Sequence, residues 1–351
     1  MAPAVSPARR RASSLRLTPE SCVAYLLNLG LLDRHTLVEQ EVQVQDVFGR
    51  NHNLRVTIAG GSGYFIKQAP PEDRALDSPL AVEAAVYRSG LLPFLPRLIH
   101  FDPEAFVLVL ELLPARGEAT VSGESYRGAA TMLAAAHRID RSAHGGSLPL
   151  AAAAPWVFDM ARPSPASLRE LAPAQLALFE SLQSSARLLE ALDRMRERWE
   201  PEALIHGDFK WSNLAAGKLL DWELAQWGDP AWDVGGAMHG VVVEDLLALE
   251  LPGDGGPERL FEMLGAMLSR RRDDHRAFWS AYLTERGLPA GSAASLQERV
   301  PAATGLRLIK TAYEWCQAET RIPRRAAAIL QLGINMVTRP DEALRFVLGL
   351  A

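Results

Sequence analysis

Residues 204–223 read LIHGDFKWSNLAAGKLLDWE and hold the densest set of chemistry-bearing side chains in the sequence. An apolar Leu204-Ile205 leads into His206-Gly207-Asp208. Lys210 and Asn213 follow on the same loop, and Asp221 and Glu223 come after a short segment that reads as a hairpin. Carboxylates and an amide in this order suit phosphoryl transfer. That reaction needs one carboxylate to orient a hydroxyl and accept its proton, and oxygen ligands to hold a divalent cation against nucleotide phosphates. Asp208 suits the first task as catalytic base. Asn213, Asp221 and Glu223 suit the second as magnesium ligands, with a loop-holding role as the alternative for Glu223. Lys210 adds a cation that would neutralise charge building on the transferred group.

These residues resemble the catalytic segment of the aminoglycoside phosphotransferase and choline kinase family, whose H-G-D-x-x-x-x-N pattern is followed by an acidic D-x-D/E motif. The resemblance covers most of the chain. It implies an α+β, bilobal protein-kinase-like fold with a small β-rich amino-terminal lobe and a large helical carboxy-terminal lobe. It also implies ATP or GTP with Mg2+ as cofactors, and an alcohol group as acceptor. His206 would then brace the loop rather than move protons, and Asp233 would hydrogen-bond the loop backbone. Gly207 stands where protein kinases carry an arginine that pairs with a phosphorylated activation loop, and residues 222–232 leave little room for such a loop. Activity without activation-loop phosphorylation is therefore expected. Asp208, Lys210 and Asn213 match the D-x-K-x-x-N arrangement of protein kinases, where many antibiotic phosphotransferases have histidine or a neutral residue at the lysine.

The elements that must position these groups are legible in outline. Residues 1–17, rich in Pro, Ala, Ser and Arg, read as a mobile arm. Thr18 and Pro19 then open a helix that stops at Gly30. From Leu37 to Gln68 the apolar period drops towards two, giving three antiparallel strands. The loop over residues 46–53 falls where kinase-like folds cover the nucleotide phosphates. It has Gly49 alone, so the Arg50, Asn51 and Asn53 side chains are expected to assist its amides. Gly60-Gly61-Ser62-Gly63 reads as a hairpin turn, because no helix pattern follows it. By the resemblance, Lys67 at the end of the third strand is the nucleotide-binding lysine. Glu83, in a helix over residues 79–88, is its ion-pair partner; Glu72 and Glu118 are weaker candidates. Two more strands, over residues 97–101 and 106–112, complete a five-stranded lobe. The second runs into Glu111-Leu112-Leu113-Pro114, the hinge of the resembled family, where backbone groups at Glu111 and Leu113 would bind adenine. The implied organisation is an arm over 1–17, an amino-terminal lobe over 18–113 and a helical lobe over 114–351.

Beyond the hinge, residues 126–139 read as a helix in which His137 is a packing residue. Residues 141–165 are rich in turns, and a helical insertion over 168–198 would build the acceptor pocket in the resembled family. The remainder is helical by pattern, with helices expected over 303–318, 323–338 and 341–350, and with Arg321, Arg324 and Arg325 on a solvated face. Trp222 and Trp227 read as packing residues.

With 351 residues, 48% of them hydrophobic and 23% charged, the composition is that of an ordinary globular protein. The net charge of -5 argues against nucleic acid as a partner. Two cysteines exclude a disulfide framework, and no apolar run is long enough for a membrane span, so the expected location is the cytoplasm. Arg9-Arg10-Arg11 resembles a twin-arginine export signal, but no apolar core follows it. Three functions stay open. A small-molecule acceptor such as an aminoglycoside, a sugar or an amino alcohol is the first. A polycationic one would draw on Asp159, Glu170, Glu180, Glu244, Asp245 and Glu250. The second is Ser or Thr of a precursor peptide. The stretch Arg50-Asn51-His52-Asn53 with residues 63–68 is similar to stand-alone kinases of lanthipeptide-type maturation, which act with a partner lyase. The third is a non-catalytic, nucleotide-binding pseudokinase.

Overall fold

The computed structural model describes residues 15–75, 77–114, 123–164, 171–249 and 257–350. They fall into two compact units. One holds the described residues up to 114 together with Ala215–Leu224, and the other holds the rest.

In the first unit, helix α1 (Pro19–Asn28) begins as the sequence predicts. The Thr18 hydroxyl accepts the Ser21 N–H, and Pro19 occupies the first helical position, where its missing N–H is not needed. The period-two pattern expected from Leu37 starts later than read. Residues 34–39 form a short helix, α2 (Arg34–Glu39), because Asp33 Oδ1 accepts the Thr36 N–H at 2.6 Å and caps the turn. Strands β1 (Val42–Val47), β2 (His52–Ile58) and β3 (Ser62–Gln68) follow, then helix α3 (Pro79–Ser89) and strands β4 (Leu98–Asp102) and β5 (Val107–Glu111). The strands make an antiparallel five-stranded sheet of order β1-β2-β3-β5-β4. The Gly60-Gly61 hairpin joins β2 to β3 and sets Asn53 opposite Lys67.

One face of this sheet buries Leu54, Val56, Ile66, Val107 and Val109 against Leu17, Cys22 and Leu26. The reading of residues 1–17 as an arm is corrected at its end. Leu17 is fully buried, its N–H donates to Gln68 Oε1 at 2.9 Å, and Gln68 Nε2 donates to Leu15 O at 3.0 Å. The apolar pair Leu15 and Leu17 covers the sheet, so burial overrides the polar composition around it. Residues 1–14 lie outside the described residues.

The second unit contains helices α4 (Gly123–His137), α5 (Arg141–His144), α6 (Pro173–Gln183) and α7 (Ala186–Glu197), then strand β6 (Ala203–Ile205). Short strands β7 (Leu214–Ala215) and β8 (Lys218–Leu219) form the expected hairpin, turned through Ala216 and Gly217, and from Ala215 onward this hairpin belongs to the first unit. Strand β9 (Gln226–Gly228) pairs antiparallel with β6. Helices α8 (Ala231–Ala248), α9 (Pro257–Arg286), α10 (Ala290–Trp315), α11 (Arg324–Thr338) and α12 (Pro340–Ala343) follow, then a π-helical turn over Leu344–Leu348, with α10 packed on both α8 and α11. The helix expected from residue 303 starts much earlier, running through Pro301. An interior proline costs about 3 kcal/mol. Burial of Val300, Ala302, Ala303 and Leu306 around it outweighs that cost. Arg321 and Arg324 are exposed, as read, whereas half-buried Arg325 donates to Leu249 O at 2.7 Å.

Replacing Leu17 with alanine is expected to lower unfolding stability by about 2–5 kcal/mol through the cavity left against β2 and β3. Urea denaturation of the full chain measures this, and a loss below about 1 kcal/mol would mean that residues 15–17 do not belong to the core.

Candidate active site

The sequence-predicted residues divide between the two units. Lys67, Glu83, Asn51, Asn53, Glu111, Leu113, Asp221 and Glu223 lie in the β-rich unit; Asp208, Lys210 and Asn213 lie in the helical one.

In the β-rich unit the period-two pattern of β3 turns Lys67 inward, and α3 presents Glu83 from its buried face. Lys67 Nζ lies 2.8 Å from both Glu83 oxygens and 2.7 Å from Asp221 Oδ1. Tyr87, one turn along α3, donates its hydroxyl to Glu83 Oε1 at 2.8 Å and so fixes the carboxylate. Burial alone would pull the Lys67 pKa down, but Glu83 and then Asp221 override it and hold the ammonium above its ordinary range. Glu72 sits in a one-turn helix and has no part in this cluster, and Glu118 lies outside the described residues.

Asp221 has φ +64, a left-handed conformation that an aspartate tolerates better than most residues. The segment is held from both sides. The Leu219 N–H donates to Phe94 O, Lys218 Nζ donates to Leu95 O, and fully buried Trp222 donates to Leu219 O. These bonds explain why Ala215–Leu224 joins the β-rich unit, which a contiguous reading of the lobes does not anticipate. Glu223 accepts from Asn51 Nδ2 at 3.3 Å, and its pKa is raised by burial and then by the Asp221 charge. Asn51 is thus committed to a carboxylate. Asn53 is also buried, with its Oδ1 unpartnered among the described residues and its amide packed where a side chain on Gly49 would stand. At the hinge, the Glu111 and Leu112 N–H groups are spent on Arg97 O and Gly63 O, and the Glu111 carboxylate accepts the Arg97 N–H. Leu113 N–H has no protein acceptor among the described residues and is the hinge donor left open.

A divalent cation fits this chemistry. Among the described residues no group of three or more His, Cys, Asp or Glu forms a preassembled metal cage. Magnesium needs none, since it takes one or two carboxylates and completes its shell with water and phosphate oxygens. Asp221, with 41% of its side chain exposed, and Glu223 beside it offer hard oxygen donors whose mutual repulsion a cation would relieve.

In the helical unit, β6 delivers the loop that starts at His206, and α8 holds it from below. Fully buried Asp233 accepts the His206 N–H at 2.6 Å and the Gly207 N–H at 3.0 Å. His137 Nε2 lies 3.2 Å from the same carboxylate, and its Nδ1 lies 2.8 Å from Tyr282 Oη, so His137 is a satisfied packing residue, as read. His206 Nδ1 accepts the Asp208 N–H at 3.3 Å, and Trp211 Nε1 donates to Ala237 O at 2.9 Å. Asn213 Nδ2 donates to Asp208 O at 3.3 Å and closes the loop.

Asp208 is ringed by cations. Lys210 Nζ is 2.7 Å from its Oδ2, while Arg307 Nη2 and Lys310 Nζ are 3.3 and 3.4 Å from its Oδ1. Burial would raise the Asp208 pKa, but Arg307, Lys310 and Lys210 outweigh it and hold the carboxyl well below the usual range. Arg307 and Lys310 are missing from the sequence reading. They are one turn apart on the part of α10 that was read correctly as helix, but nothing in their spacing points to a loop so distant in sequence. The acidic acceptor wall read from the sequence is not assembled as such. Asp159 pairs with Arg196 and Asp245 with Arg271, while Glu170 and Glu250 lie outside the described residues.

Residues 49–254 match the model of the phosphotransferase enzyme family, more than half of the chain, and the protein belongs to that family. It is an enzyme of the kinase type. No curated protein matches its sequence. Among solved structures it is similar to choline kinase from Cryptosporidium parvum, with a TM-score of 0.59 and 12% identity over 94% of this chain and 99% of that one. It is also similar to an ethanolamine kinase of Plasmodium vivax, with a TM-score of 0.54 and 13% identity over 93% and 88%. These likenesses carry the fold, which is kinase-like and α+β.

Replacing Lys67 with methionine strands Glu83 in a dry site and is expected to cost about 3–5 kcal/mol, whereas the double change Lys67→Met with Glu83→Leu returns much of that stability. Denaturant titration of the two variants tests this; equal losses would mean that Glu83 does not depend on the lysine.

Proposed function

We propose that the enzyme moves the γ-phosphoryl group of ATP or GTP to a hydroxyl of a small molecule. The observation that carries this is the Lys67 ammonium held by Glu83 and Asp221. A buried lysine braced on one side, with a half-open carboxylate on the other, suits a polyphosphate and its cation. In this reading, within the β-rich unit, Lys67 binds nucleotide phosphate and Asp221 holds magnesium, with Glu223 beside it; Asn213, in the helical unit, is a magnesium ligand on the ground of the family resemblance alone. The Leu113 N–H takes an adenine or guanine edge. Magnesium, when bound, supplies charge neutralisation on the phosphate oxygens. Asn51 acts through Glu223 rather than on phosphate.

Asp208 orients the acceptor hydroxyl in line with the phosphorus and receives its proton late, since its cationic neighbours make it a weak base. Lys210 offsets charge on the group in transit. Three cations around Asp208 disfavour a polycationic acceptor beside it. A sugar-like or acidic hydroxyl compound therefore suits the site better than an aminoglycoside. The second reading is a Ser or Thr of a precursor peptide, with a partner lyase, favoured by the 2.7 Å contact of Lys210 with Asp208 in the protein-kinase-like pattern. A cytoplasmic location without nucleic-acid partners is in keeping with two buried free cysteines and a net charge of -5. Among the described residues no helix is long and apolar enough to cross a membrane.

Mass spectrometry after incubation with magnesium-ATP is expected to find phosphate on sugars or hydroxy acids and none on aminoglycosides. Asp208→Asn should lose about 100-fold or more in rate. Phosphate on a Ser/Thr-rich peptide alone would establish the second reading, and phosphate on aminoglycosides alone would sink the argument from charge. Between Asp221 and Asp233 the chain is taken up by a one-turn helix, β9 and the start of α8, so prior phosphatase treatment should leave turnover unchanged. Loss of activity after such treatment would point to a regulatory phosphosite.

A further inference from the structure

Burying a guanidinium is costly unless its charge is paired and its N–H groups find acceptors. Arg307 is 2% exposed; among the described residues its Nε finds no acceptor, and its two Nη groups find acceptors on three consecutive residues of the loop. They are Gly207 O at 3.3 Å, Asp208 Oδ1 at 3.3 Å and Phe209 O at 2.9 Å. Its guanidinium carbon lies 5.2 Å from the ring centroid of Trp232, and the Trp232 indole N–H donates to the same Gly207 O at 2.6 Å. Space for this approach comes from Gly236 on α8. A Cβ there would stand 3.1 Å from Arg307 Nε, 3.2 Å from its Cζ and 3.2 Å from Phe209 O. The two oxygens of Asp208 consequently differ. Oδ1 is held by Arg307 and by Lys310, whose side chain is 14% exposed and also bonds Glu314 at 2.8 Å. Among the described residues Oδ2 meets only Lys210, which is 46% exposed.

We propose that Arg307 is a positioning residue for phosphoryl transfer. By gripping Asp208 Oδ1 and the carbonyls on either side of Asp208, it keeps Oδ2 turned to the acceptor hydroxyl, with Lys210 as the movable cation beside it. Arg307 neither gains nor loses a proton; its contribution is geometry. The planar guanidinium reaches three acceptors at once, which a lysine ammonium at the same position does not. The inference rests on the reading of Asp208 as the orienting carboxylate.

The test compares full-length Arg307→Met, Arg307→Lys and Gly236→Ala with the parent chain. Phosphate release from magnesium-ATP, with water as acceptor, gives kcat; titration with magnesium-ADP gives nucleotide affinity; thermal unfolding gives stability. Asp208→Asn is the control. Arg307→Met should lose about 100-fold in kcat, the scale of a misplaced reacting group, with nucleotide affinity kept within about twofold. Arg307→Lys should recover part of the loss. Gly236→Ala removes no hydrogen-bonding group and improves helix propensity, yet should lose about 3- to 10-fold by pushing the guanidinium a few tenths of an ångström. If Arg307→Met does not fold, the other two variants carry the test. Full activity in Gly236→Ala together with full activity in Arg307→Lys would overturn the proposal and leave Arg307 a stabilising brace. If Asp208→Asn keeps its turnover, the reading of Asp208 fails. If Asp208→Asn is inactive while Arg307→Met stays within about threefold of the parent, this inference alone fails.

Discussion

A fully buried carboxylate that accepts two backbone N–H groups is the constraint on which the helical unit depends. Asp233 receives the His206 and Gly207 N–H groups and meets His137 on α4, so one side chain ties the loop to two helices. Burial would raise its pKa, yet the bonds to its charged form, led by His137, hold it below the usual range. An ionised group in a dry site tolerates little displacement, because each lost partner leaves charge uncompensated. The loop therefore inherits its shape from the core of the unit. Trp211 and Trp232 add one bond each to that arrangement.

The β-rich unit solves a related problem with opposite charge. Lys67 is a buried ammonium, and Glu83 and Asp221 supply the compensation from a helix and from a strained turn. Tyr87 and Asn51 then fix the carboxylates Glu83 and Glu223 in turn. Each charged group has a neighbour whose own position is set by packing. In both units the candidate site is built from ions that the fold has already paired, and one partner of each pair is the more exposed. Asp221 and Lys210 are the more open partners of Lys67 and Asp208.

Much of this was legible in sequence because the signals are local. The Thr18-Pro19 cap, the Gly60-Gly61 turn and the alternation through β2 and β3 act over a few residues, and each appears where it was read. The Lys67 and Glu83 pairing was anticipated from the family resemblance, not from a local pattern. The misses have a common cause. Leu17 sits in a stretch of polar composition, α10 continues through Pro301, and Asn51 turns to Glu223 instead of facing the loop. In each case a long-range contact outweighed a local preference.

By itself the sequence determined the class of chemistry, because Asp208, Lys210, Asn213, Asp221 and Glu223 lie within one short stretch whose spacing needs no tertiary information. It also placed the five strands and helices α1, α3 and α4 in order, through caps, turns and periodicity. Only the tertiary structure decided the electrostatic state of Asp208. Arg307 and Lys310 come from a helix far along the chain, and packing of α10 on α8 brings them to the loop. It likewise decided that Ala215–Leu224 belongs with the β-rich unit, since that rests on hydrogen bonds to Phe94 and Leu95. Coulomb energy depends on distance in space, and distance in space is what a sequence pattern does not carry.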